Sequence, residues 1–209
     1  MSRRPATSLS SSPYLHRLRA HEEVRGQFCR ELLALPVPAF DRLVARLLLE
    51  CGYETVHVLA EARGGADLLT SDSTGLSSTL TLVQAKQYRA PVSRRFVDEL
   101  RGAMLRYRAP QGLLFTTSTF FGPAHRAAGL ECALPVRLVD GEELLGLLLA
   151  KSLGVRASQG GRLALDREFF AALVQEGRAE PGRASHPQSV SGARRGGAAY
   201  RSAACGGCR

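Results

Sequence analysis

An α/β fold, a mixed central sheet with helices on both faces, is predicted by three observations. Apolar residues recur at helical spacing between positions 39 and 51, they change to strict alternation after Gly52, and helical and strand segments then take turns as far as residue 153. The implied order α-β-β-β-α-β-α-β-α requires both antiparallel and parallel neighbours in one sheet. The 209 residues, 44% hydrophobic and 22% charged, suffice for one domain with a sizeable core and fall short of two ordinary ones. There is no run of 18 apolar residues, and the Met1-Ser2-Arg3-Arg4-Pro5 start has no apolar segment, which speaks against a membrane span and a secretory signal. A soluble, cytoplasmic protein is expected.

The elements follow in order. Residues 14–35 carry a helix-compatible pattern (Leu18, Val24, Phe28, Leu32, Leu33) that reaches Pro36-Val37-Pro38, where two prolines are expected to end it. A second helix is predicted from about Ala39, because Phe40, Leu43, Val44, Leu47, Leu48 and Cys51 lie on one face and Gly52 stands where a C-terminal cap belongs. Residues 53–62 alternate through Val56, Val58 and Ala60. Residues 76–88 alternate through Leu80 and Leu82 to Gln84, Lys86 and Tyr88, and residues 71–75 between them have turn chemistry. A helix from 91 to about 108, a buried strand at 112–118, a short helix at 123–129 and a strand at 136–139 come next. The last helix is predicted from Asp140, an N-cap followed three residues later by Glu143, to about Leu153.

Charge and composition mark the ends. Residues 1–20 hold four arginines and no acid, residues 177–209 hold six arginines and one glutamate, and the stretch between them is neutral although the chain carries +9. Both ends are rich in Gly, Ser, Ala, Pro and Arg and poor in large apolar residues, so they are expected to be disordered and to attract polyanions without regard to sequence. The expected plan is a basic segment at 1–14, a helix at 15–38, a core at 39–154, an extension at 155–176 and a basic tail at 177–209. Cys29, Cys51 and Cys132 read as small core residues. Cys205 and Cys208 have the spacing of a metal knuckle but no second pair. His21, His57 and His125 have neither metal spacing nor an acid partner and read as structural.

One constellation has a chemical rather than a packing rationale. A hairpin centred on Gly75 pairs residues whose numbers sum to about 151, which sets Asp67 opposite Gln84. Lys86, two residues on, projects from the same face as Gln84. Three polar side chains thus meet at one end of an otherwise apolar sheet. Of 28 Lys and Arg residues only Lys86 and Lys151 are lysine, so a lysine within a strand runs against the composition. Its compact ammonium can orient or deprotonate a water in a way that guanidinium cannot. The same residues also admit a plainer reading, in which Lys86 guards an edge strand and Asp67 after Gly64-Gly65 is a turn residue.

The motifs Phe40-Asp-Arg-Leu-Val, Gly52-Tyr53, Gly64-Gly-Ala-Asp67-Leu-Leu, Val83-Gln-Ala-Lys-Gln-Tyr88, Pro91-Val92, Leu100-Arg-Gly-Ala, Phe115-Thr-Thr-Ser118 and Val139-Asp-Gly-Glu-Glu-Leu144 occur in that order. Together they resemble the catalytic domain of Mrr-type restriction endonucleases, within the PD-(D/E)XK nuclease superfamily. The resemblance covers roughly 39–154 and continues faintly at 165–170. It implies a restriction-endonuclease-like core, αβββαβ plus a C-terminal αβα, and a Mg²⁺- or Mn²⁺-dependent hydrolase of phosphodiester bonds in double-stranded DNA that restricts foreign or modified DNA. A homodimer is implied because two strands are cut. Members of the family often have a separate DNA-reading domain, and the 38 residues before the core are too few for a winged helix, so the resemblance leaves substrate choice to a separate DNA-recognition partner, to the basic tails or to DNA structure rather than sequence.

By motif position, the resemblance makes Asp67 the metal-binding aspartate and Lys86 the signature lysine. Gln84 stands where most of the superfamily has Glu or Asp, and Mrr-like members commonly have Gln. The backbone carbonyl of Ala85 would be a further metal ligand. Asp41 occupies the place of a glutamate in the first core helix, and its shorter reach suggests contact through water. Helical periodicity alone leaves Asp41 and Glu50 equivalent, each about 90° from the apolar stripe. With Gln84 neutral, metal affinity without DNA is expected to be weak. Gln87, Tyr88, Arg89, Arg94, Arg95 and Ser118 are the candidate DNA contacts, with Arg101 beside the arginines and Thr116 and Thr117 beside Ser118; a solvated helix face, the end of a strand or a capped loop explains these groups as well. Two other functions suit the same residues: a junction- or flap-cutting repair nuclease, and a catalytically inactive DNA-binding module.

Overall fold

The computed structural model describes residues 13–59, 65–74, 77–130, 134–157 and 163–179. The elements are α1 (Pro13–Ala34), α2 (Val37–Glu50), β1 (Thr55–Val58), β2 (Leu68–Thr74), β3 (Ser77–Lys86), α3 (Arg94–Tyr107), β4 (Gln111–Thr116), α4 (Gly122–Ala128), β5 (Val136–Val139), α5 (Gly141–Ala150), β6 (Val155–Ala157), β7 (Leu163–Leu165) and α6 (Arg167–Ala179). Five strands form one sheet in chain order, β1-β2-β3-β4-β5. The first three are antiparallel and the last three parallel, so the predicted mixed sheet is present.

Alternation along the central strands divides the core between the two faces. Val83 and Ala85 of β3 and Phe115 of β4 pack with Phe28 and Leu32 of α1, the stripe Phe40, Leu43, Val44, Leu47 and Leu48 of α2, and Leu144, Leu145 and Leu148 of α5. Leu82 and Leu114 point the other way and meet Val97, Leu100, Ala103 and Met104 of α3 with Ala124 and Ala127 of α4. Period two in the strands and period 3.6 in the helices are thus both spent on burial. Gln84 and Lys86 continue the Leu82 face beyond its apolar part. Helix α6 packs on α2, where Arg46 pairs with Glu176, and its Phe170 lies edge-to-face on Phe28 of α1 at 5.4 Å.

Several local expectations are corrected. Helix α2 starts at Val37 rather than near Ala39, with Pro38 inside its first turn. A proline is harmless there, since that N–H has no partner within the helix. Residues 71–74 belong to β2 rather than to a turn: they pair with 77–80 of β3, and Ser71 also pairs with Thr55 of β1. Pairing outweighs the local preference of Ser, Asp and Thr. Helix α3 begins at Arg94, because Val92 is engaged in a parallel bridge with Phe120. Helix α5 is not the last element. The hairpin β6–β7 and helix α6 follow it, and their three-residue strands are too short to show a period.

Cys29 and Cys51 are exposed rather than core residues, while Cys132, Cys205 and Cys208 lie outside the described residues. The expected disordered ends also lie outside them, except for positions 13–14 and 177–179, which are helical. The expected cap of α5 is formed: Asp140 Oδ1 accepts the Glu143 N–H at 2.9 Å. The Glu143 side chain pairs with Arg137. Among the described residues no helix is long and apolar enough to cross a membrane.

Candidate active site

The site is built where β2 begins and β3 ends. The paired residues of these strands sum to 151, as in Leu68↔Val83 and Thr74↔Ser77, so the hairpin register places Asp67 beside Gln84. Asp67 is held on both sides by backbone: its N–H donates to Val83 O at 2.8 Å, and its carbonyl accepts the Leu59 N–H at 2.9 Å. Its side chain is buried, and Oδ2 accepts the Ala85 N–H at 2.8 Å. The Lys86 ammonium lies 4.0 Å from that same oxygen. The chain reaches Asp67 through Gly65, whose φ is +86° and whose missing Cβ would sit 2.6 Å from the Glu99 carbonyl oxygen in α3. Only glycine combines that dihedral with that closeness.

Two further polar groups lie near Asp67: Gln84 by the strand register, and Asp41 within electrostatic range. Gln84 is 1% exposed, and its Oε1 has no hydrogen-bond partner in the protein. Asp41, on the first turns of α2, has a buried Oδ1 that also lacks one. Burial, with the Asp67 carboxylate adding to it and Lys86 opposing it, pushes the Asp41 carboxyl up to about 7. Glu50, the other carboxylate that periodicity allowed, is exposed at the far end of α2.

A buried acceptor without a donor costs about 1–3 kcal/mol. Such oxygens near a buried carboxylate are acceptors of the kind that a hard cation satisfies, since Mg²⁺ prefers oxygen donors. The residues present fit such an ion. The donor set is two carboxylates and one amide oxygen, and among the described residues no group of three or more His, Cys, Asp or Glu side chains is present.

The candidate DNA contacts are placed unevenly. Gln87 Nε2 donates to Leu32 O at 2.5 Å and Leu35 O at 2.8 Å, so its donors cap the end of α1. Ser118 Oγ donates to Arg89 O at 3.1 Å, and Thr117 Oγ1 to Tyr88 O at 2.8 Å. These hydroxyls staple the segment after β3 to the segment after β4. Thr116 Oγ1 is buried and accepts the Ser118 N–H at 3.1 Å. Arg101 donates to Leu134 O and Ala128 O, a packing role. Tyr88 and Arg89 are exposed just beyond Lys86. Arg94 and Arg95, exposed at the start of α3, pair with Asp98 and Glu99 one turn on. His57 and His125 are exposed, and His21 has no described side chain.

One neighbour of the site gave no sequence signal. The Phe96 ring lies with its centroid 5.6 Å from Lys86 Nζ. Its approach depends on where α3 starts, which residue spacing does not disclose.

Comparison with known proteins decides the family. The family model described as restriction endonuclease, the Mrr catalytic domain, matches residues 32–148, more than half of the chain. The chain belongs to the Mrr restriction endonuclease family. Asp41, Asp67, Gln84 and Lys86 all lie inside the Mrr match, while β6, β7 and α6 lie outside it. The chain is 28% identical over 155 residues to a type IV methyl-directed restriction enzyme, EcoKMrr, of Escherichia coli strain K12. That alignment covers 71% of this Mrr-family chain and 50% of the relative, so the chain spans about half the relative's length. Among solved structures, MspJI restriction endonuclease in complex with a 27-mer oligonucleotide is 25% identical, with a TM-score of 0.48 over 85% of this chain and 37% of that one. The DNA modification-dependent restriction endonuclease AspBHI is 21% identical, with a TM-score of 0.46 over 84% of this chain and 44% of that one.

Proposed function

We propose that this chain is a Mg²⁺- or Mn²⁺-dependent endonuclease that hydrolyses phosphodiester bonds of double-stranded DNA and serves the restriction of foreign or modified DNA. The observation that carries the reading is the approach of Lys86 to the buried carboxylate of Asp67 across adjoining strands, with Gln84 as the register neighbour of Asp67 and Asp41 within electrostatic range of both charges, the last two each having a buried oxygen without a partner. Buried acceptors are satisfied in the large majority of cases, so each of these two calls for a partner.

Asp67, Gln84 Oε1 and the Ala85 carbonyl would hold the metal, and Asp41 would contact it directly or through water. A divalent cation bound there supplies charge neutralisation for the phosphate and acidifies water. The protein's own part is orientation. The Ala85 N–H fixes one oxygen of Asp67 and so fixes which way the carboxylate faces. Lys86, within reach of that oxygen yet not in contact with it, can hold the attacking water by one N–H while balancing the charge of the phosphate. Hydrolysis adds the water oxygen to phosphorus and releases one ester oxygen as the alcohol. Arg89 and Tyr88 would meet the DNA backbone beyond the lysine.

Cutting both strands would use two copies of the site, hence a homodimer. Substrate choice would reside in a separate recognition module or partner, a reading supported by the half of the curated relative that lies outside the match. The experiment compares cleavage of methylated duplex, unmethylated duplex and a four-way junction in Mg²⁺ or Mn²⁺. Preference for methylated duplex supports restriction. Preference for the junction would make this a repair nuclease, and salt-sensitive binding with no new DNA ends would make it an inactive binding module.

A further inference from the structure

We propose that Phe96 is a positioning residue that holds the Lys86 ammonium beside the Asp67 carboxylate but out of contact with it. The consequence for catalysis rests on the nuclease reading above, whereas the contact itself does not. A lysine ammonium near a buried carboxylate ordinarily closes to hydrogen-bond distance, about 2.7–2.9 Å for charged partners. Here Nζ stays 4.0 Å from Asp67 Oδ2, although the Lys86 side chain has four rotatable bonds with which to close the gap.

Two observations account for the separation. Asp67 Oδ2 already accepts the Ala85 N–H at 2.8 Å. Nζ also lies 5.6 Å from the Phe96 ring centroid, inside the roughly 6 Å within which an aromatic face attracts a cation. The ammonium thus has an attraction on each side.

The ring is itself held. Phe96 sits in the first turn of α3, where its N–H donates to Ser93 O at 3.3 Å. Tyr88 packs edge-on against it at 5.6 Å and 65°, and the Arg95 guanidinium lies 5.8 Å from its centroid. Arg95 is anchored to Glu99 at 2.6 Å, with a side chain 76% exposed against 22% for Lys86. Of the two cations on this ring, the lysine is the less solvated and gains more from it. A lysine parked in this way keeps an N–H free for water or phosphate instead of spending it on Asp67.

The test exploits the composition, since only Lys86 and Lys151 are lysine. Lysine labelled with carbon-13 at the ε position gives two methylene resonances in metal-free protein, assigned with Lys86→Arg. The Lys86 ε-protons should be displaced upfield by the ring current, should lose that displacement in Phe96→Leu and should keep it in Phe96→Tyr. In cleavage assays Phe96→Leu should lower kcat by about 3- to 30-fold, the range a cation–aromatic contact supplies, with KM and the thermal midpoint unchanged. Phe96→Tyr should restore kcat. A ring-fluorinated phenylalanine at 96 keeps the shape, weakens the ring's negative face and should slow cleavage even if Phe96→Leu does not fold. The proposal is overturned if the Lys86 resonance ignores Phe96→Leu, or if the leucine and tyrosine variants are slowed equally. A shifted resonance in a wild-type protein that cuts no DNA would uphold the contact and sink the nuclease reading alone.

Discussion

Asp67 and Ala85 are joined across the β2–β3 pair by a 2.8 Å hydrogen bond from the Ala85 N–H to the carboxylate Oδ2. The ladder ends at Leu68↔Val83, and the segment before Asp67 turns away through Gly65. The carboxylate therefore takes the place that a strand carbonyl would have held. One side chain closes the sheet and at the same time faces Lys86, so the end of the hairpin and the candidate site are the same construction.

Asp67→Ala should reduce Mg²⁺-dependent cleavage by at least about 100-fold, the scale of losing a principal charged group at a reacting centre. It should also cost about 1–3 kcal/mol of stability, because the buried Ala85 N–H loses its acceptor. Asp67→Asn retains an acceptor oxygen and should keep most of the stability while remaining inactive. Cleavage rates and thermal midpoints of the two variants separate these effects.

Asp41 predicts a pH dependence whose sign is fixed by its raised pKa. Its ordinary value is 3.8 and the folded value is about 7. Between these the unfolded chain has released the proton that the folded chain retains, so stability from this group is complete below about 4, falls as pH rises and is lost by about 7. Asp41→Asn should therefore raise the unfolding free energy of metal-free protein at pH 8 relative to wild type, by on the order of a few kcal/mol, and should leave it little changed at pH 4. Denaturant melts at the two pH values provide the comparison.

Gln84→Glu should tighten Mg²⁺ binding about tenfold, since a charged ligand replaces the amide oxygen in a buried site. It should lower the stability of the metal-free protein, because a second buried carboxylate would face Asp67. Calorimetric titration with Mg²⁺ and a metal-free melt check both halves.

Two glycines are expected to resist substitution. Gly65→Ala places a side chain at φ +86° and a Cβ 2.6 Å from the Glu99 carbonyl oxygen. Gly141→Ala brings a Cβ to 2.5 Å from the Thr117 carbonyl oxygen, where the Gly141 N–H donates to Ser118 O at 2.7 Å. Each should cost about 1–3 kcal/mol. Gly65→Ala should also depress cleavage beyond its effect on stability, because it displaces the approach to Asp67, whereas Gly146→Ala, within α5 and with nothing near its Cβ, should leave cleavage unchanged and raise stability by about 0.5–1 kcal/mol.

The parts of the fold that could be read from residues were those set by period and register. The helical stripe of α2 and the alternation of β3 are burial patterns, and the hairpin sum of 151 followed from the turn position alone. What escaped was decided by tertiary partners. Residues 71–74 look like a turn until β1 and β3 pair with them. Gln87 and Ser118 look like surface polar groups until the end of α1 and the carbonyl of Arg89 are brought to them. Phe96 looks like any half-buried aromatic until α3 sets it against Lys86. Asp41 was recognisable only by its likeness to a family motif, since helical geometry gave Glu50 an equal claim.

The most direct test of the account is incubation of supercoiled plasmid, methylated and unmethylated, with the wild-type chain and with Lys86→Ala in Mg²⁺ or Mn²⁺. Nicked and linear products are expected from the wild type and should vanish both with a chelator and in Lys86→Ala while DNA binding persists. Undiminished cleavage by Lys86→Ala, or cleavage that survives the chelator, would contradict it.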